Sequence, residues 1–304
     1  MSLNKLKGTG VALVTPFHKD GNIDFKSFKK LIERCIDQKV EYLVPLGTTG
    51  ESTTLTNDER RAVLDFVVEV TEKRLPVVLG LGGNNTREVV HTIEECDFNA
   101  VDAILSVSPY YNRPSQRGIF QHYKTIANAS PVPVILYNVP SRTGSNLDAE
   151  TTLELAHETK NIIGIKEASG NMEKIMRIIK NKPKDFLVIS GDDSMTLPII
   201  ACGGDGVISV IANAFPKDFS EMVRSALEGN FEKARKLNYK LIDIIHAIFV
   251  DGSPPGVKGL LSMMNICSEH VRLPLVSVSK STLNKFSTIL QHGRSATERK
   301  ESVL

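Results

Sequence analysis

At 304 residues the chain has room for one large domain or two ordinary ones. Hydrophobic residues make up 41% and charged residues 24%, a globular composition with ample material for a core, and a net charge of +2 without any long basic run argues against a nucleic-acid partner. No apolar stretch reaches the length of a membrane span, and residues 1–8 lack a signal-peptide pattern.

Short apolar, β-branched runs recur every 20 to 35 residues or so. They cover residues 10–16, 41–46, 76–81, 102–107, 133–137, 161–166, 186–191 and 206–210. Each reads as a strand buried on both faces, because apolar residues occupy consecutive rather than alternate positions. Amphipathic segments such as 24–37, 57–73 and 86–96 fill the gaps, and Asp24, Thr56 and Asp148 stand where helices would be capped. Eight buried strands, each followed by a helix, predict an α/β fold of the (β/α)8 TIM-barrel class. A doubly wound sheet is disfavoured: Gly80-Leu81-Gly82-Gly83 lacks the third glycine of a dinucleotide fingerprint and reads as a turn. Beyond Val210 the pattern is helical over 217–248 with a break at Gly229-Asn230, then a loop over 251–256, and helices again over 257–265 and 280–292. The division expected is therefore a barrel core over 1–215 and a C-terminal helical extension over 216–304, whose residues 293–304 read as a frayed end.

The cysteines, Cys35, Cys96, Cys202 and Cys267, are too scattered for a zinc site or a disulfide framework, and reduced thiols in a cytoplasmic protein are expected. His91 and Cys96 have no third ligand nearby, so no metal is predicted.

In a barrel of this class, functional residues collect where the strands end at their C-terminal side. Lys166 closes an apolar strand, where burial disfavours the ammonium form, and a neutral amine attacks ketones to form Schiff bases. The bland alternative is a lysine that snorkels to water. Tyr137 ends the preceding strand, and strands lie roughly 5 Å apart, so its phenol can reach the amine and carry protons. Gly47-Thr48-Thr49-Gly50-Glu51-Ser52 offers backbone amides and hydroxyls suited to a small carboxylate, or simply a capped turn. Arg142 offers a planar fork for a second carboxylate, or a surface ion pair. Tyr110 and Tyr111 are adjacent, and if they pack inward their hydroxyls need buried partners. Helix capping accounts for Asp192-Asp193 more simply than an acid pair.

The segments GTTGES (47–52), SPYYNRPSQ (108–116), YNVPSRTG (137–144), GIKEASG (164–170), SGDD (190–193) and GVISV (206–210) occur in an order that resembles the pyruvate-dependent class I aldolases, the family of dihydrodipicolinate synthase and N-acetylneuraminate lyase. The resemblance runs from about residue 8 to 275, and GTTGES, Arg142 and KEASG are similar to the synthase branch. It implies that Lys166 forms a Schiff base with pyruvate, so that no separate cofactor is needed, and that Thr48 and Thr49 hold the pyruvate carboxylate. Tyr137 would relay protons, linked by Thr48 to a Tyr111 contributed by a neighbouring subunit. Arg142 would bind the carboxylate of L-aspartate 4-semialdehyde, and Gly191 and Ile208 would line the pocket. A homotetramer built as a dimer of dimers is the assembly the resemblance implies, with a place in diaminopimelate and lysine biosynthesis.

Many synthases of this family bind lysine as a feedback inhibitor, and Ser52, Asn84, Glu88 and Tyr110 match that candidate effector site. Asn57 and Arg60 stand where lysine-sensitive bacterial members often carry histidine, and an arginine repels a cationic effector. Weak or absent inhibition is expected. The loop Asp251-Gly252-Ser253-Pro254 also departs from the usual Asn-Pro, which bears on local packing rather than on chemistry. Two other readings stand beside the synthase: an aldolase that cleaves sugar acids or hydroxy-oxo acids, disfavoured by Arg142, and a silent barrel that only binds a keto acid, disfavoured by the joint presence of Lys166, Tyr137 and Thr48.

Overall fold

The structure, a computed structural model, describes residues 3–301. Eight strands form one parallel sheet: β1 (Gly8–Ala12), β2 (Tyr42–Val44), β3 (Val78–Gly80), β4 (Ala103–Val107), β5 (Val134–Asn138), β6 (Ile162–Glu167), β7 (Leu187–Ser190) and β8 (Gly206–Ser209). Their order is β2-β1-β8-β7-β6-β5-β4-β3. A parallel bridge between Leu43 and Val77, with Leu43 N donating to the Pro76 carbonyl at 3.0 Å, joins the two ends into a barrel. The predicted TIM-barrel class is thus the fold observed, and every predicted apolar run overlaps a strand.

Around the barrel run α1 (Phe25–Asp37), α2 (Asn57–Thr71), α3 (Thr86–Glu95), α4 (Gln116–Ala129), the short α5 (Pro140–Thr143), α6 (Ala149–Glu158), α7 (Met172–Asn181), α8 (Thr196–Ala201) and α9 (Pro216–Leu227). Local chemistry starts several of them. The Asp24 carboxylate accepts from Ser27 N at 2.9 Å, and Thr56 and Glu59 form a reciprocal capping box. Asp148 occupies a cap position, but its side chain accepts no capping bond. The helix α9 packs against β1, α1 and α8 and so completes the helical layer.

Three further helices follow: α10 (Phe231–Ala247), α11 (Pro255–Met263) and α12 (Lys280–Glu301). Gly229 and Asn230 separate α9 from α10, with Asn230 capping Lys233 N at 3.1 Å. The last helix continues through Gly293, so most of the stretch read as frayed is helical, and residues 302–304 lie outside the described ones. Val257, Leu260, Leu261 and Phe286 of the extension share a single core with Val11, Leu13 and Leu43 of the barrel. A second cluster fills the space between β4–β7 and their helices, and a third fills the barrel interior with Ala12, Val44, Leu105, Ile135, Ile189 and Ile208. Among the described residues no helix is long and apolar enough to cross a membrane, and no group of three or more potential ligands is placed to hold a metal ion.

Candidate active site

Which face of a strand a residue occupies follows from alternation, and in β6 that alternation is interrupted. Val134 pairs with Ile162 but Ile135 with Gly164, so one residue of β6 is left over as a bulge. Ile162 and Ile165 both join the outer core while Ile163 joins the inner one. Unbroken alternation would put Ile163 and Ile165 on the same face and leave Lys166 outside. The extra residue turns Lys166 inward. Gly164 makes this possible, since a Cβ there would stand 2.8 Å from the Leu187 carbonyl oxygen.

Lys166 is accordingly buried inside the C-terminal end of the barrel, beside its register partner Tyr137, with Nζ 4.2 Å from the centre of the phenol ring. Neither side chain forms a hydrogen bond among the described residues, so both polar groups are uncommitted. Gly191 abuts the lysine stem: a Cβ there would lie 3.1 Å from Lys166 Cε and 2.6 Å from Ala168 Cβ. Ile208 belongs to the same inner cluster as Tyr137.

The next residue along each strand faces the other way. Asn138 donates to both Glu167 oxygens at 3.1 and 3.2 Å and to Asn146 Oδ1 at 3.0 Å. Glu167 pairs with Lys174 of α7 at 2.8 Å and accepts from Ser169 N at 2.8 Å. These buried groups bolt the ends of β5 and β6 together directly behind the two inward residues. Asn138 and Glu167 lie within segments quoted from the sequence, but nothing local showed that they meet across strands, or that Lys174 and Asn146 join them.

At the end of β2 the residues Thr48–Gly50 form a 3-10 turn closed by Gly50 N to the Gly47 carbonyl and Glu51 N to the Thr48 carbonyl, each 3.1 Å. The N–H groups of Thr48 and Thr49 find no acceptor among the described residues, and the two hydroxyls are likewise free. Adjacent unsatisfied donors of this kind suit an anion. Arg142, on α5, is exposed at the same end of the barrel and donates from Nη2 to the Ser253 carbonyl at 3.0 Å. Tyr111 does not join the group within one chain. Its φ is +72°, its ring is 89% exposed, and no hydrogen bond links it to Thr48 or Tyr137. Tyr110 is also exposed, so neither tyrosine packs inward.

The other candidates separate. Asn84 Nδ2 donates to the Tyr110 carbonyl at 3.1 Å, and Arg60 Nε donates to the Ser52 carbonyl at 3.0 Å, with Asn57 beside it, while the exposed Glu88 side chain bonds to none of them. Asp192 closes the turn ahead of α8, its carboxylate accepting from Ser194 N and Met195 N, while the cap position of the helix itself is Met195 and carries no side-chain bond. Capping does not account for Asp193, whose buried carboxylate accepts from Val210 N at 3.1 Å and Ile211 N at 2.8 Å and so ties β7 to the end of β8. Burial pushes that carboxyl up to about 6. His91 pairs with Glu95 at 3.3 Å rather than with Cys96. Asp251 accepts from Ser279 N and Oγ, each at 2.8 Å.

A family model described as the dihydrodipicolinate synthetase family matches residues 5–293. The chain belongs to this family. It is 54% identical over 278 residues to the 4-hydroxy-tetrahydrodipicolinate synthase of Flavobacterium psychrophilum, covering 91% of this chain and 95% of that one. Its fold matches the crystal structure of dihydrodipicolinate synthase from Aquifex aeolicus with a TM-score of 0.91 at 41% identity, over 94% of this chain and 97% of that one. The chloride-inhibited dihydrodipicolinate synthase of Acinetobacter baumannii, whose crystal structure is complexed with pyruvate, matches with a TM-score of 0.92 at 39% identity, over 94% and 98% of the two chains. This family membership agrees with the resemblance carried by the six motifs.

Proposed function

We propose that the chain is a 4-hydroxy-tetrahydrodipicolinate synthase, a lyase of diaminopimelate and lysine biosynthesis that condenses pyruvate with L-aspartate 4-semialdehyde. The observation that carries this reading is an uncommitted Lys166 amine turned into the barrel against an uncommitted Tyr137 phenol, in a chain of this family. The Lys166 amine attacks the pyruvate ketone carbon, and water leaves as the imine forms. Tyr137, the nearest phenol, relays the protons for that loss and for removal of a methyl proton, which yields the enamine. The free N–H groups of Thr48 and Thr49 hold the pyruvate carboxylate. The enamine carbon then attacks the aldehyde, whose own carboxylate pairs with the exposed Arg142 fork. Attack by the substrate's amine on the imine carbon closes the ring and releases Lys166.

The reaction consumes no redox equivalents, and the covalent imine serves in place of a cofactor. Tyr111, exposed and strained in one chain, suits insertion into a neighbouring subunit of a homotetramer, where Thr48 would link it to Tyr137. The four free cysteines fit a cytoplasmic enzyme. The Arg60 guanidinium at the Ser52 carbonyl supports weak or absent inhibition by lysine, and strong inhibition at millimolar lysine would refute that point.

The test is consumption of L-aspartate 4-semialdehyde that depends on pyruvate, measured for the wild type and Lys166→Ala. Turnover by the wild type alone is expected. An inactive wild type that still forms a borohydride-stable adduct with pyruvate would keep the Schiff base and remove the acceptor.

A further inference from the structure

Glu51 is the one acidic residue of a turn otherwise made of glycine, threonine and serine, and Lys258 is the one charged residue of the apolar helix α11. The fold brings them together across 207 positions of the chain. Glu51 directly follows the Thr48–Gly50 turn with φ +54°, a left-handed conformation that a residue with a side chain seldom adopts without support. Its side chain runs inward to full burial, and both oxygens are satisfied there. Oε1 pairs with Lys258 Nζ at 2.5 Å and Oε2 accepts from Arg272 N at 3.0 Å. Lys258 is wholly buried, donates also to the His270 carbonyl at 2.9 Å, and lies 4.0 Å over the Phe17 ring.

Apart from this pair, three side chains hold the turn among the described residues: Thr15 Oγ1 donates to the Gly50 carbonyl at 2.7 Å, Thr54 Oγ1 to the Glu51 carbonyl at 3.0 Å and Arg60 Nε to the Ser52 carbonyl at 3.0 Å. Those three come from the barrel's own loops and helix, so among the side-chain anchors of the turn the Glu51–Lys258 pair is the one that reaches it from the C-terminal extension. The loop that leads into α11 also receives Arg142, through the Ser253 carbonyl. The helix α11 and the loop that leads into it thus touch both elements proposed to hold substrate carboxylates.

We infer that Glu51 and Lys258 form a positioning pair through which the C-terminal extension sets the pyruvate-carboxylate turn of the barrel. This rests on the function proposed above. A buried pair that served only stability could be exchanged for neutral residues of similar volume without effect on substrate binding. A pair that aims donors cannot, because a shift of the turn by a fraction of an ångström misplaces both N–H groups.

Two variants test it: Glu51→Gln with Lys258→Met, which removes both charges together, and Glu51→Gln alone, which keeps an acceptor for Lys258 but presents an amide to Arg272 N. Borohydride trapping is followed by intact mass as pyruvate is varied, and turnover is measured against each substrate. The double variant is expected to need about tenfold more pyruvate for half-maximal trapping, with a matching rise in KM for pyruvate, while kcat and KM for L-aspartate 4-semialdehyde stay within about twofold. Glu51→Gln alone is expected to show a smaller rise in the same direction, and it carries the test if the double variant does not fold. Wild-type pyruvate dependence in the folded variants would overturn the inference and leave the function intact. A wild type that forms no adduct would overturn both.

Discussion

At the ends of β5 and β6 two neighbouring residues on each strand live in opposite surroundings. The side chains of Tyr137 and Lys166, on the inner wall, touch each other and carry no hydrogen bonds among the described residues. Asn138 and Glu167, one position further on and on the outer wall, are saturated with them. The contrast fits the function proposed for each wall. A nucleophile needs a free lone pair and a proton carrier needs a free hydroxyl, so neither can also serve as structural glue. Fixed geometry must then come from the residues behind them, which satisfy one another completely and cannot drift apart without stranding a buried charge. Rigidity and reactivity are divided between adjacent residues of the same strands.

Substitutions on the two walls should therefore separate activity from stability. The largest effect is expected from Lys166→Ala, which removes the proposed nucleophile: turnover should fall by at least about 10³-fold and the borohydride adduct should vanish, with the unfolding midpoint little changed. Tyr137→Phe keeps the ring and deletes the proposed proton carrier, so kcat should drop by about 10²–10³-fold, again at near wild-type stability. A large loss of stability in either would show that the inner wall is structural after all.

The outer wall should behave in the opposite sense. Glu167→Ala leaves the Lys174 ammonium buried and unpaired, and a loss of about 3–5 kcal/mol in urea unfolding is expected. Lys174→Met added to Glu167→Gln should recover part of that loss, because both charges then go together. Strict additivity of the two changes would break the claim that they act as a pair. Gly191→Ala probes the junction of the walls. The new Cβ would press on Ala168, whose Cβ moves only with its backbone, and on the lysine stem, so the rate of adduct formation should slow by about tenfold with a loss of about 1–3 kcal/mol in stability.

The smallest effect is a pH dependence far from the reacting groups. Burial holds the His122 imidazole down at about 4, with Nδ1 against Thr86 Oγ1 at 2.8 Å and Nε2 without a partner among the described residues. Its folded value lies below the unfolded 6.5, so the unfolded chain binds more protons between those limits. The stability this neutral histidine contributes is present above pH 6.5 and is lost as pH falls through about 4. His122→Leu should flatten that part of the slope in urea midpoints compared at pH 7 and pH 5. Asp193, raised to about 6, contributes with the opposite sign over an overlapping range and offsets part of the histidine slope in the wild type, but it is common to both proteins and cancels in their difference.

Much of this was legible in the chain itself. Eight apolar runs gave eight strands because a strand buried on both faces must be apolar at consecutive positions, and that requirement is written locally. The Asp24 and Thr56 caps were equally local. The break at Gly229-Asn230 was visible for the same reason, since turns and caps are built by residues next to each other in sequence. Lys166, Tyr137 and the Thr48-Thr49 turn could be singled out because the barrel class assigns chemistry to strand ends.

What the sequence could not decide was which way Lys166 points. Alternation from Ile163 would send it outward, and only the bulge at β6, with Gly164 packed on Leu187, brings it in. Nor could local pattern pair Glu51 with Lys258, Glu167 with Lys174, or Asp193 with the start of the loop after β8. Their partners lie 7 to 207 residues away, and a buried charge reads as an exposed one until the fold supplies its counterion. Periodicity records how much of a segment is buried. The parity across a bulge and the pairing of distant charges belong to the closed barrel alone.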